Sequence, residues 1–171
     1  MTDTVRIIIA DTCVVSDFYK ADRGFFAELR CPRISVGIIT PVIDELTVSF
    51  PEFADRPFLR RIGLNLFEPA EEDFAHIGFS SALSPFDLLC LRAAKRLGCT
   101  LATNDVPLRT ACAENGVRVL WGLETLLLLC REGAIGKQYA DTIARCIRHA
   151  NPDYITEEIL DKFLRRLGRL P

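Results

Sequence analysis

The stretch VRIIIADTCVV, residues 5–15, sets the reading of the whole chain. A β-branched apolar run over residues 5–10 stops at an acid, Asp11, and a second apolar stretch resumes within two residues. So short a run, apolar on both alternating faces, suits a strand covered on both sides, which is the strand of a parallel sheet sandwiched by helices. What then needs a reason is the carboxylate at its end.

Four later runs repeat the pattern, at residues 33–39, 64–68, 100–103 and 117–121. Between them lie helical patterns at 14–29, 41–48, 58–62, 70–79, 85–97 and 107–115. Alternation of this kind predicts an α/β fold, a three-layer α/β/α sandwich with a central parallel sheet of about five strands. Start and stop signals agree. Thr40-Pro41 and Ser84-Pro85 each place a capping residue before a first-turn proline, and Gly98 and Gly116 stand where helices should end.

After Trp121 the pattern is wholly helical, with segments at 123–131, 137–149 and 156–167. The expected organisation is a sheet domain over residues 1–130 and a C-terminal helical extension over 131–171 packed on the same domain. The run Leu126 to Leu129 reads equally as core or as a dimer face.

At 171 residues the chain is long enough for one ordinary domain core. Its 49% hydrophobic and 26% charged composition is that of a globular chain without disordered arms. The net charge of -2 excludes a strongly basic nucleic-acid binder while leaving room for local basic faces. The first residues lack a basic leader, and no apolar run is long enough to span a bilayer, so the expectation is a cytoplasmic protein with no membrane role. Seven cysteines without a C-x-x-C pair read as reduced thiols, and with only two histidines, His76 and His149, a structural zinc site is not expected.

Asp11 has companions. Asp105 follows the 100–103 run, Glu45 falls in the first turns of the helix after the second strand, and Asp87 in the first turn of the helix leading to the fourth. In an open parallel sheet the carboxyl ends of strands and the amino ends of the following helices share one edge, where a crevice forms as the strand order reverses. Four carboxylates gathered there either take up protons or require a cation, and no Lys or Arg of the flanking motifs is placed to pair with them. A hard divalent ion, Mg²⁺ or Mn²⁺, suits an all-oxygen donor set.

The segments IIIADTCVV, TPVIDEL and SPFDLLCLRAAKRLGCTLATNDVPLRTACAENGV resemble the successive motifs of the PIN-domain family, and within it the VapC-like toxin ribonucleases. The resemblance covers about residues 5–130. It implies a metal-dependent endoribonuclease in which Asp11, Glu45, Asp87 and Asp105 hold one or two Mg²⁺ or Mn²⁺ ions that activate water and offset phosphate charge. Thr12, Thr103 and Asn104 would steady those groups from behind. It further implies an RNA substrate, a small antitoxin protein as partner and a homodimer. Where the family commonly carries Ser or Asn two residues after its first Asp, this chain has Cys13, a poor ligand for a hard ion.

Each acid also has a purely structural reading. Asp11 and Asp105 stand where helix caps belong, Ser84-x-x-Asp87 has the form of a capping box, and Glu45 complements a helix dipole. Asp44, the neighbour of Glu45, points about 100° away around the helix. Asp17 and Asp22 read as solvated, Glu71, Glu72 and Asp73 as serving a helix amino end, and Trp121 as core. Arg92, Lys95, Arg96 and Arg109 flank the acidic motifs and are candidates for holding RNA phosphates, against a solvated helix face. Two competing functions use the same residues: a PIN-fold RNA-binding or partner-binding module without activity, and a phosphatase built on a nucleophilic Asp. The second wants another Asp where Cys13 stands.

Overall fold

A computed structural model of the chain describes residues 5–29, 31–75 and 82–171. Five strands, β1 (Arg6–Ala10), β2 (Ile34–Ile39), β3 (Asn65–Phe67), β4 (Thr100–Ala102) and β5 (Arg118–Leu120), form one sheet in the order β3-β2-β1-β4-β5. Every pairing is parallel, as the doubly apolar strands require. The helices are α1 (Thr12–Ala21), α2 (Val42–Ser49), α3 (Arg56–Arg61), α4 (Pro85–Leu97), α5 (Val106–Glu114), α6 (Gly122–Arg131), α7 (Lys137–Ala150) and α8 (Glu157–Gly168). Right-handed crossovers put α1 and α2 on one face and α4 and α5 on the other, giving the three-layer sandwich.

From β1 the chain steps outward to β2 and β3, then crosses back to β4 on the far side of β1. The strand order therefore reverses between β1 and β4. Their register pairs Ala10 with Ala102, so the next residues along, Asp11 and Thr103, emerge side by side at the carboxyl edge. At β2, Gly37 lets β3 approach: a Cβ there would lie 2.4 Å from the Asn65 carbonyl oxygen and 2.6 Å from the Phe67 ring.

Several local expectations need correction. The helix expected over 14–29 is interrupted at Asp22, whose backbone caps α1, and the chain resumes as a 3₁₀ turn at Phe25–Glu28. A second 3₁₀ turn, Pro51–Ala54, precedes α3. The helix expected over 70–79 is a 3₁₀ turn at Glu71–Phe74, and residues 76–79, His76 among them, lie outside the described residues. Thr40 does not cap α2; its buried hydroxyl has no partner among the described residues. Ser84 does cap α4, and Gly98 closes it in the left-handed conformation (φ 60°).

The C-terminal helices are tied to the sheet layer. α7 packs on α1 and on both α6 and α8. The Tyr139 hydroxyl donates to Asp22 Oδ2 at 2.6 Å, and Asn151 donates to Asp17 Oδ1 at 3.2 Å. Leu126 to Leu129 are buried, which resolves that run as core. All seven cysteines are free thiols. Among the described residues no helix is long and apolar enough to cross a membrane.

Candidate active site

Asp11 ends β1 and caps α1, accepting the Val14 N–H at 2.9 Å. The Cys13 thiol donates to both of its oxygens, at 2.9 and 3.0 Å, and the Thr103 hydroxyl donates to Oδ2. Thr103 in turn accepts the Asp105 N–H at 3.0 Å, while Asp105 Oδ1 caps α5 by accepting from Leu108 N–H at 2.7 Å. One buried hydroxyl, 92 residues from Asp11 and two from Asp105, thus fixes the relation of the two acids, because register places Thr103 beside Asp11. Glu45, on α2, accepts from the Thr12 hydroxyl. Asp87 completes the capping box of α4, taking the Ser84 N–H on Oδ2 at 2.9 Å and giving its own N–H to Ser84 Oγ at 3.1 Å.

The structural readings of Asp11, Asp87 and Asp105 as caps therefore hold. So does their convergence. All four acids, with Thr12, Cys13 and Ser84, line one cavity of about 200 Å³ at the carboxyl edge. Asp44 is exposed and lines a different cavity, which separates it from Glu45.

The electrostatics reflect the crowding. Burial pushes the Asp11 carboxyl up from 3.8 to about 6, and the Asp87 charge adds to it, against the hydrogen bonds from Cys13, Thr103 and Val14. Burial and the neighbouring Asp11 also push the Cys13 thiol far up, so it stays a protonated donor. Cys90, fully buried on α4, is raised by burial and then by the charges of Asp11, Asp87 and Glu45. Three acids thus act on a single point. No Lys or Arg forms an ion pair with any of the four among the described residues.

Among the described residues no three His, Cys, Asp or Glu side chains stand close enough to form a ready coordination shell. The donor chemistry nevertheless fits a hard cation. Glu45 Oε1, Asp87 Oδ1 and Asp105 Oδ2 carry no hydrogen bond among the described residues, so each acid that caps or is braced by one oxygen keeps the other.

Other expected residues fall elsewhere. Asn104 hydrogen-bonds none of the four acids among the described residues: its side chain accepts from Gly122 N–H at 2.9 Å and donates to Asp17 Oδ2 at 3.2 Å, and its backbone N–H meets Cys13 Sγ at 3.4 Å. Asp17, expected in solvent, is half-buried, and burial raises its carboxyl. The spacing of four between Cys13 and Asp17 places both on one face of α1, a signal available in the sequence. Arg92 donates to the Asp73 and Ala75 carbonyls, and Arg96 grips the buried Asp73 carboxylate at 2.8 Å, so both brace the Glu71–Phe74 turn. Lys95 donates to Asn115 at 3.2 Å. His149 is exposed. Trp121, expected in the core, is 43% exposed, with the Arg109 guanidinium 3.6 Å from its ring centroid.

No protein-family model, curated protein or solved structure matches the chain.

Proposed function

We propose that this protein is a metal-dependent endoribonuclease of the PIN-domain kind, with Asp11, Glu45, Asp87 and Asp105 as its metal-holding and catalytic residues. The observation that supports it most is the convergence of four acids from four chain segments on one cavity at the strand-order reversal, with no cationic side chain among the described residues paired to them. Burial, with a smaller push from the Asp87 charge, raises the Asp11 carboxyl to about 6, and Mg²⁺ or Mn²⁺ bound there would favour its charged form.

When bound, such an ion supplies an activated water and charge neutralisation at a phosphodiester. The protein's own residues supply placement. Thr103 holds Asp11 and the start of α5 together, Thr12 steadies Glu45, and the Cys13 thiol spends its proton on Asp11. The resemblance extends the proposal to a cytoplasmic toxin held in check by a small antitoxin, acting as a homodimer.

One observation favours a second reading, an RNA-binding or partner-binding module without activity. Three of the four acids are used as helix caps, and Cys13 stands where a hard-ion site prefers oxygen. Mn²⁺-dependent cleavage of single-stranded and structured RNA, beside an Asp11→Asn variant, separates the two. Cleavage by the native protein alone supports the enzyme; equal cleavage by both proteins means that this cavity does none of it. Anomalous density for Mn²⁺ in soaked crystals would place and count the ions.

A further inference from the structure

We infer that Trp121 and Arg109 form a docking platform for an unpaired nucleotide beside the acidic cavity, so that the nucleic acid taken by this protein is single-stranded at the point of contact. The inference deepens the ribonuclease reading and rests on it for the chemistry, though not for the contact itself.

Trp121 directly follows edge strand β5 and opens α6, which brings it to the same edge of the sheet as Asp11 and Asp105. The link is short. Asn104, next to Asp105, accepts the N–H of Gly122, next to Trp121, at 2.9 Å. Arg109 stands one helical turn after Asp105 on α5, its backbone N–H bonded to the Asp105 carbonyl at 3.1 Å, so cavity and platform are about one turn, roughly 5.4 Å, apart along that helix.

Neither side chain is used up by the fold. The Arg109 guanidinium lies over the indole ring, and its N–H groups make no hydrogen bond or ion pair among the described residues; the indole N–H makes none either. A half-buried arginine that pairs with no carboxylate among the described residues, one helical turn along α5 from Asp105, is positioned for an anion that approaches that edge of the sheet. An exposed tryptophan offers its ring to a base, and stacking of that kind requires a base free of a duplex. Beyond the ring runs an apolar groove of about 220 Å³ between α6 and α8, with Lys162 on its rim. Phosphate on Arg109 and base on Trp121 is the occupant that both halves of the platform suit. An apolar protein segment would leave the arginine unanswered.

Trp121 is the only tryptophan of the chain, so its fluorescence reads the platform directly. In EDTA, where divalent-ion cleavage cannot occur, a short single-stranded oligoribonucleotide should quench that fluorescence saturably, and the same sequence in a duplex should bind at least tenfold more weakly. With a labelled oligonucleotide, Trp121→Ala should weaken binding roughly 5- to 100-fold, Trp121→Phe should restore part of it, and Arg109→Ala should lower the salt slope by about one. Melting curves of each variant show that it is folded. Equal binding of duplex and single strand, a silent fluorescence titration, or unchanged binding by Trp121→Ala overturns the platform. So does a blue shift that follows protein concentration without RNA, which would make this face a contact between copies. Quenching without Mn²⁺-dependent cleavage would sink the ribonuclease reading and leave the platform, whereas Asp11-dependent cleavage with a silent Trp121 would do the reverse.

Discussion

Replacing Asp11 by Asn should remove a loss of stability that the native protein suffers only above a pH set by burial. Asp11 is 6% exposed, and its carboxyl is raised from 3.8 to about 6 in the folded state. A folded-state value above the unfolded one means that the native protein holds the proton more tightly, so stability is highest below the unfolded value and falls as pH climbs from about 4 to 6. Two pKa units correspond to about 3 kcal/mol lost by pH 7. Asparagine retains an acceptor for the Val14 N–H and is as good a cap, but it cannot ionise. Facing an amide toward Thr103 and Cys13 adds an offset that does not vary with pH, so the slope carries the result. In urea titrations with EDTA, Asp11→Asn minus native stability should rise by about 3 kcal/mol between pH 4 and pH 7.5, or roughly 6–12 °C in melting temperature. At pH 7.5, Mg²⁺ or Mn²⁺ should recover much of that deficit in the native protein and none in the variant. A difference that is flat across pH would refute the idea that an unbalanced buried charge sits at this edge.

Other substitutions test the frame around the site. Arg96→Leu leaves the Asp73 carboxylate buried without its ion pair and should cost about 3 kcal/mol, with the Arg96→Leu/Asp73→Asn double variant costing less than the sum of the single changes in a denaturation cycle. Gly37→Ala forces a methyl against the β3 backbone and should destabilise by about 3 kcal/mol or fail to fold, read by circular dichroism on expression. Tyr139→Phe removes the hydroxyl that α7 donates to Asp22; a loss of about 1.5 kcal/mol within a single cooperative urea transition would show that the C-terminal helices unfold with the sheet. Cys13, held protonated by burial and by Asp11, should react with a thiol reagent at pH 8 far more slowly than the exposed Cys146, as peptide mapping of the alkylated protein would show.

How far the sequence could be read depended on whether one segment carried the decision. All five strands lie within a residue or two of the apolar runs that predicted them, since burial on both faces leaves a continuous signature. Helix α4 begins and ends at its expected residues because Ser84-Pro85 and Gly98 mark its ends chemically. Where two segments compete, the local pattern misled. The helical periodicity over 14–29 did not reveal that Asp22 would stop α1 and take a hydrogen bond from Tyr139, 117 residues away. Arg96 looks like a solvated or phosphate-facing cation until Asp73 is brought under it. Trp121 has a core composition around it, yet as the residue leaving an edge strand it stays 43% exposed, with the Arg109 guanidinium over one face of its ring.

By itself, then, the sequence determined the layers, the parallel sheet and the identity of four acids at strand and helix ends, since each of these follows from local periodicity and capping. Only the tertiary structure decided that the acids share one cavity, that Thr103 rather than Asn104 braces Asp11, and that Glu45 faces inward while Asp44 does not. The physical reason is register. Pairing Ala10 with Ala102 is a property of two strands together, and it sets which side chains stand side by side where the strand order reverses.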